Sequence, residues 1–178
     1  MANVFDVANL FIQIANQSED DSITNLKLNK LLYYAQGTFL ARTGKPLFSN
    51  QIEAWTFGPV VPEIYQKYKV CSNTPIPTCD EIDPSVFSED EFDTLLDVIR
   101  EYGKYTGGTL VNMTHMPGTP WSNAIDSRET VISRDDISDY FRTHTTAHFK
   151  VSDHVPKVTS LPAEWYDSTE DAEWEAYS

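Results

Sequence analysis

LKLNKLLYYAQGTFLA (residues 26–41), followed at once by GKPLF (44–48) and IEAWTFGPVVPEIYQKYK (52–69), is the stretch from which the fold is read. Leu28, Leu31, Leu32, Ala35 and Phe39 recur at helical spacing and line one face, with Lys27 and Lys30 off it. Thr24 stands before the run as an N-cap, its hydroxyl placed to accept from a backbone donor that has no partner inside the helix. Gly44 stands after it as a left-handed stop. A helix of this length is long enough to be the central packing element.

Working outward, Val4, Val7, Ala8, Phe11, Ile14 and Ala15 place one apolar stripe on a first helix near residues 4–16, which the polar QSEDDS interrupts. Beyond the run, GKPLF is a turn, and the partial alternation in IEAWTF predicts a short extended segment from Gln51 to Phe57. Gly58 and Pro59 break that segment, and Pro62 opens a third helix, where a missing amide donor costs nothing. From Cys71 to Phe87 there are three prolines and no helical period, so this stretch reads as a long loop. Ser88 and Glu91 form a capping box ahead of Phe92, Leu95, Leu96, Ile99 and Tyr102. Gly107 and Gly108 open a short helical segment that Pro117, Gly118 and Pro120 end, and Trp121 to Ile125 add a further turn. Ser133 and Asp136 start a last helix through Ile137, Tyr140 and Phe141. The expected fold is mainly α: a compact bundle of about five to seven helices, a short extended segment near 51–57 and an acidic C-terminal tail.

The net charge of −14 is unevenly placed. Residues 1–70 carry six acidic and six basic side chains, so the 21 acidic and seven basic residues beyond Val70 hold the whole excess. Such a field repels phosphates and anionic lipid and favours a basic protein partner, although an acidic surface also supplies plain solubility. No apolar stretch approaches the roughly 20 residues of a membrane span. The N-terminus has no leader-like pattern, so a cytoplasmic location is expected, with Cys71 and Cys79 as reduced thiols rather than a disulfide. From Val151 the chain has seven acidic residues, one lysine and isolated aromatics, including Trp165 and Trp174, the composition of a flexible tail.

Chemical signatures are sparse. KYTGGTL lacks the second glycine and the Lys-Ser or Lys-Thr of a phosphate-binding loop. His144, His148 and His154 have metal-like gaps but little carboxylate or thiol support nearby, and no metal or cofactor is expected. His115 and Cys79 make a poor nucleophile and base, because an acidic loop raises a thiol pKa. Glu53 lies in the most apolar part of the chain, so it is exposed or paired, with Arg42 and Lys45 as the nearest basic candidates in sequence. A salt bridge explains it better than catalysis.

The pattern L-K-L-x-K-L-L-Y-Y-A-Q-G, then G-K-P-L-F, I-E-A-W, an aromatic, G-P-V-V-P and a Tyr-rich helix resembles the Panacea domain, the SocA-like antitoxin domain. FDVANLFI (5–12), Thr114-His115 and Pro120-Trp121 extend the resemblance over roughly the first 145 residues, with MPGTP as a locally different spacer. A domain at 1–150 followed by an acidic tail at 151–178 is therefore expected. The resemblance implies a non-enzymatic antitoxin of bacteria, phages or prophages that neutralises a cognate toxin by direct binding, the toxin blocking translation or replication. It implies no membrane or direct nucleic-acid partner and leaves the oligomeric state open. Two alternatives accompany it: an adaptor that delivers a toxin to a protease, for which the aromatic tail is a second site, and an acidic mimic of nucleic acid that inhibits a host protein. Tyr33, Tyr34, Trp55, Phe57 and Tyr65 are the candidate partner-binding residues, as an exposed aromatic patch, against the competing expectation that at least half of them pack in the core.

Overall fold

The run at 26–41 forms the helix around which the rest is built. In the computed structural model, which describes residues 1–17, 22–77 and 81–144, helix α2 (Asn25–Thr43) starts where the Thr24 hydroxyl accepts from the Lys27 N–H at 3.3 Å. It ends at Gly44, whose φ of +70° lets its N–H return to the Leu40 carbonyl. The expected apolar stripe is buried, but Lys27, Asn29, Lys30, Gln36 and Thr38 are buried too. The placement of Lys27 and Lys30 off the packed face is corrected accordingly. An amphipathic stripe describes a helix with one wet face, whereas α2 has neighbours on every side.

Those neighbours are α1 (Val4–Ala15), α3 (Pro62–Tyr68), α4 (Glu89–Tyr102), α5 (Gly107–Thr114) and α7 (Arg134–His144), with α6 (Pro120–Ser127) packed on α5 and α7. The described residues thus give a mainly α bundle of seven α-helices with one small sheet. Side-chain caps act where the sequence placed them. Ser88 and Glu91 exchange both bonds of their capping box, and the Glu91 carboxylate also receives the Met1 ammonium at 2.9 Å. The Ser133 hydroxyl accepts from the Asp135 and Asp136 amides at the start of α7. The Pro-rich stretch follows a short 3-10 turn at Lys69–Cys71, contains a second at Pro84–Val86, and is tied down by buried Ile76, whose N–H bonds the Ile23 carbonyl. Cys79, His148, His154 and the expected tail lie outside the described residues.

The extended segment is a hairpin. β1 (Glu53–Trp55) pairs antiparallel with β2 (Gly58–Val60) in the register Glu53 to Val60, Ala54 to Pro59 and Trp55 to Gly58. Gly58 and Pro59, expected to end the strand, instead begin its return. Gly58 takes φ +102°, and Pro59 sits where the backbone faces away from β1, so its missing N–H costs no ladder bond.

Helices α2 and α7 meet at Gly37, where an added Cβ would overlap the ring of Phe141. That ring is held by the edges of Tyr33 and Tyr34, at centroid distances of 5.5 and 5.9 Å. Gly37→Ala gains about 1 kcal/mol of helix propensity but overfills the contact at a cost of roughly 1–3 kcal/mol. A net loss of stability, partly recovered in the Gly37→Ala/Phe141→Leu double variant, is the expected outcome of urea denaturation.

Candidate functional site

The polar residues inside α2 hold the hairpin and the start of α3 from one side. Asn25 donates from Nδ2 to the Tyr65 carbonyl at 3.2 Å, while Asn29 accepts the Val61 N–H at 2.9 Å and donates to the Asn25 carbonyl at 3.0 Å. The next residue along the helix, Lys30, donates from Nζ to the Pro59 carbonyl at 3.0 Å. Lys30 is wholly buried, and that burial lowers its pKa to about 7. Gly58 makes the approach feasible, since a Cβ there would come within 2.8 Å of both Lys30 Cε and Thr114 Oγ1.

From the other side, α5 and α6 complete the arrangement. The Thr119 hydroxyl donates to the Thr114 carbonyl at 2.6 Å, and the His115 ring stacks on Trp121 at 3.7 Å between centroids. Burial, and then the charge of Lys30, push His115 down to about 4, so the imidazole is neutral near pH 7. Trp121 Nε1 donates to the Trp55 carbonyl at 2.8 Å, and Trp55 Nε1 donates to Glu53 Oε2 at 2.7 Å. Glu53 is therefore satisfied by an indole on its own strand face, two residues on, and not by the expected Arg42 or Lys45. Arg42 instead ties α2 to α4 through Asp97 at 2.8 Å. The segments quoted for the resemblance, distant in sequence, converge on this one hairpin.

All five candidate aromatics are buried. Tyr33 and Tyr34 belong to the main core, where Tyr34 stacks on Tyr102 at 4.0 Å. Trp55, Phe57 and Tyr65 form a smaller cluster with Val60 and Val111, and Trp55 meets Tyr65 edge-on at 5.0 Å. The expectation of an exposed patch is corrected: each ring finds enough apolar surface within the fold to leave water. Asn25, Asn29 and Lys30 are anchors that helical periodicity does not mark. Their signal was polar residues embedded in an otherwise apolar run.

Among the described residues no three His, Cys, Asp or Glu side chains group as metal ligands. His144 Nδ1 lies 2.7 Å from the Tyr140 carbonyl, and its ring stacks on Tyr140. No described helix is long and apolar enough to cross a membrane. What the arrangement presents outward is a cavity of about 320 Å³ between α2, residues 49–52 and residues 131–134, bordered by Gln36, Ile52, Val131 and Arg134. The Arg134 guanidinium donates to the Ser49 carbonyl across one side of it.

Comparison with known proteins follows the same segments. The profile of the family described as "Antitoxin SocA-like, Panacea domain" matches residues 28–122. Antitoxin SocA of Caulobacter vibrioides (strain NA1000 / CB15N) is 34% identical over 127 residues, covering 65% of this chain and 66% of the relative. The match thus spans just under two thirds of that relative's length. No solved structure gives a significant match.

Proposed function

The chain belongs to the SocA-like antitoxin family with its Panacea domain, and on that premise we propose that it neutralises a cognate toxin by direct protein–protein binding. The family match carries this reading. It runs from α2 through the hairpin, α3, α4 and α5 into α6, the elements that meet around Lys30 and Trp121. Neutralisation by occlusion asks for a rigid surface and needs no chemistry of the antitoxin's own. The ties from α2 and α6 hold the hairpin in one place before a partner arrives, which lowers the ordering cost of binding. In this reading Trp55, Phe57 and Tyr65 support the contact surface from beneath, while Tyr33 and Tyr34 secure the bundle.

The test is co-expression with the product of the adjacent reading frame. A stable complex on co-purification, together with rescue of growth from that product's toxicity, is the expected result. Failure of both would overturn direct neutralisation.

A further inference from the structure

The small sheet has one closed edge and one open edge. On the β2 side, Lys30 holds the Pro59 carbonyl and Asn29 holds the Val61 N–H, so no further strand can pair there. On the β1 side, residues 130–132 run antiparallel to β1 through a bridge between Glu53 and Val131. The Ala54 N–H donates to the Thr130 carbonyl at 2.7 Å, and the Ile132 N–H donates to the Ile52 carbonyl at 2.8 Å. Because these bonds flank the Glu53–Val131 pair, the Val131 N–H and C=O point the other way, out of the sheet. Neither has a partner among the described residues, and Val131 is 37% exposed. An unpaired edge of this kind is a template for another strand.

Two neighbouring features specify what fits. The cavity of about 320 Å³ adjoins the edge through Ile52, Val131 and Ile132, and its remaining lining is mostly polar, including Gln36 and Ser49. A strand laid on Val131 projects alternate side chains toward opposite faces, so one of them can enter this cavity. In the stretch 126–136 that carries the edge, Asp126, Glu129, Asp135 and Asp136 are exposed, against two arginines, of which Arg134 is already bound to the Ser49 carbonyl. The local charge is complementary to a basic segment.

We propose that the toxin docks by adding an extended, basic segment of its own chain as a strand on the Val131 edge, with one polar side chain placed in the adjoining cavity. This rests on the toxin-binding reading above. The probe is the protein encoded by the adjacent reading frame, titrated against the full chain and against Val131→Pro. Proline removes the outward N–H and leaves the inward bonds of residues 130 and 132 in place. The dissociation constant should rise on the order of tenfold with no change in thermal midpoint. Glu129→Lys should weaken the complex at low salt and much less at high salt. Where Val131→Pro fails to fold, residue-resolved hydrogen exchange on the unmodified complex decides: the Val131 amide should gain protection only when the partner is bound. A complex that forms with the Val131 amide still unprotected overturns the edge assignment and leaves the toxin-binding reading standing. No complex at all overturns both. A homodimer that Val131→Pro dissolves assigns the edge to a second copy of this chain and equally overturns the proposal.

Discussion

Alanine at Trp55 or Tyr33 should unfold the chain before it weakens any complex. Tyr33 is 1% exposed and Trp55 4%, and truncating a buried ring of that size costs about 3–5 kcal/mol through lost transfer energy and the cavity left behind. For a chain of this length the thermal midpoint should fall by roughly 6–20 °C. Trp55→Ala carries an additional cost. It removes the donor to Glu53 Oε2 and the ring against which Tyr65 packs, leaving a half-buried carboxylate to find water. Tyr33→Phe is the control. The Tyr33 hydroxyl is buried with no hydrogen-bond partner among the described residues, so deleting it should leave the midpoint unchanged or raise it. Calorimetry paired with partner capture separates the two roles. Loss of capture by Trp55→Ala at an unchanged midpoint would return Trp55 to the contact surface.

The helices were legible because their determinants are local. Thr24, Ser88, Ser133 and Gly44 cap within four residues of the groups they satisfy, and a stripe such as Leu28, Leu31, Leu32 and Ala35 reports on the side of the helix that bears it. What covers the opposite side is set by chain that arrives later. The burial of Lys30 depends on Pro59, 29 residues away, and no periodicity within α2 encodes that partner. Gly58 and Pro59 carried an ambiguous signal, since the residue types that end a strand also build a tight hairpin. The aromatic residues were ambiguous for a similar reason: a ring with a polar tip suits a core and an interface alike. The Val131 edge was invisible, because its pairing with Glu53 joins positions 78 residues apart and neither flank alternates strongly. The supporting scaffold was therefore readable, while the surface it presents depended on long-range pairing.

Stability should rise with pH from about 7 toward 10, with Lys30 as the cause. In the folded chain burial lowers the Lys30 pKa to about 7, against 10.5 for an exposed lysine. Between those values the unfolded chain holds the proton and the folded chain does not, so raising the pH favours folding by about 1.4 kcal/mol per unit. Below 7 both states are protonated and this contribution levels off. His115 acts with the same sign at lower pH: its folded pKa of about 4 against 6.5 makes stability rise across that interval. Tyr33 and Tyr34 act with the opposite sign near 10, because burial, reinforced by neighbouring tyrosines, keeps them protonated in the fold while the unfolded chain releases those protons. A maximum near pH 10 follows. Lys30→Met removes the rise between 7 and 10 but leaves the Pro59 carbonyl without its amine donor, a cost of about 1–3 kcal/mol. The variant should therefore be the less stable protein at pH 9.5 and should draw level with or overtake the parent as the pH falls to 6.5. Urea midpoints at half-unit steps measure the crossing. A parent profile as flat as that of Lys30→Met would mean that the amine stays charged beneath the hairpin, and that its tie to Pro59 is an ionic anchor stabilised by the fold.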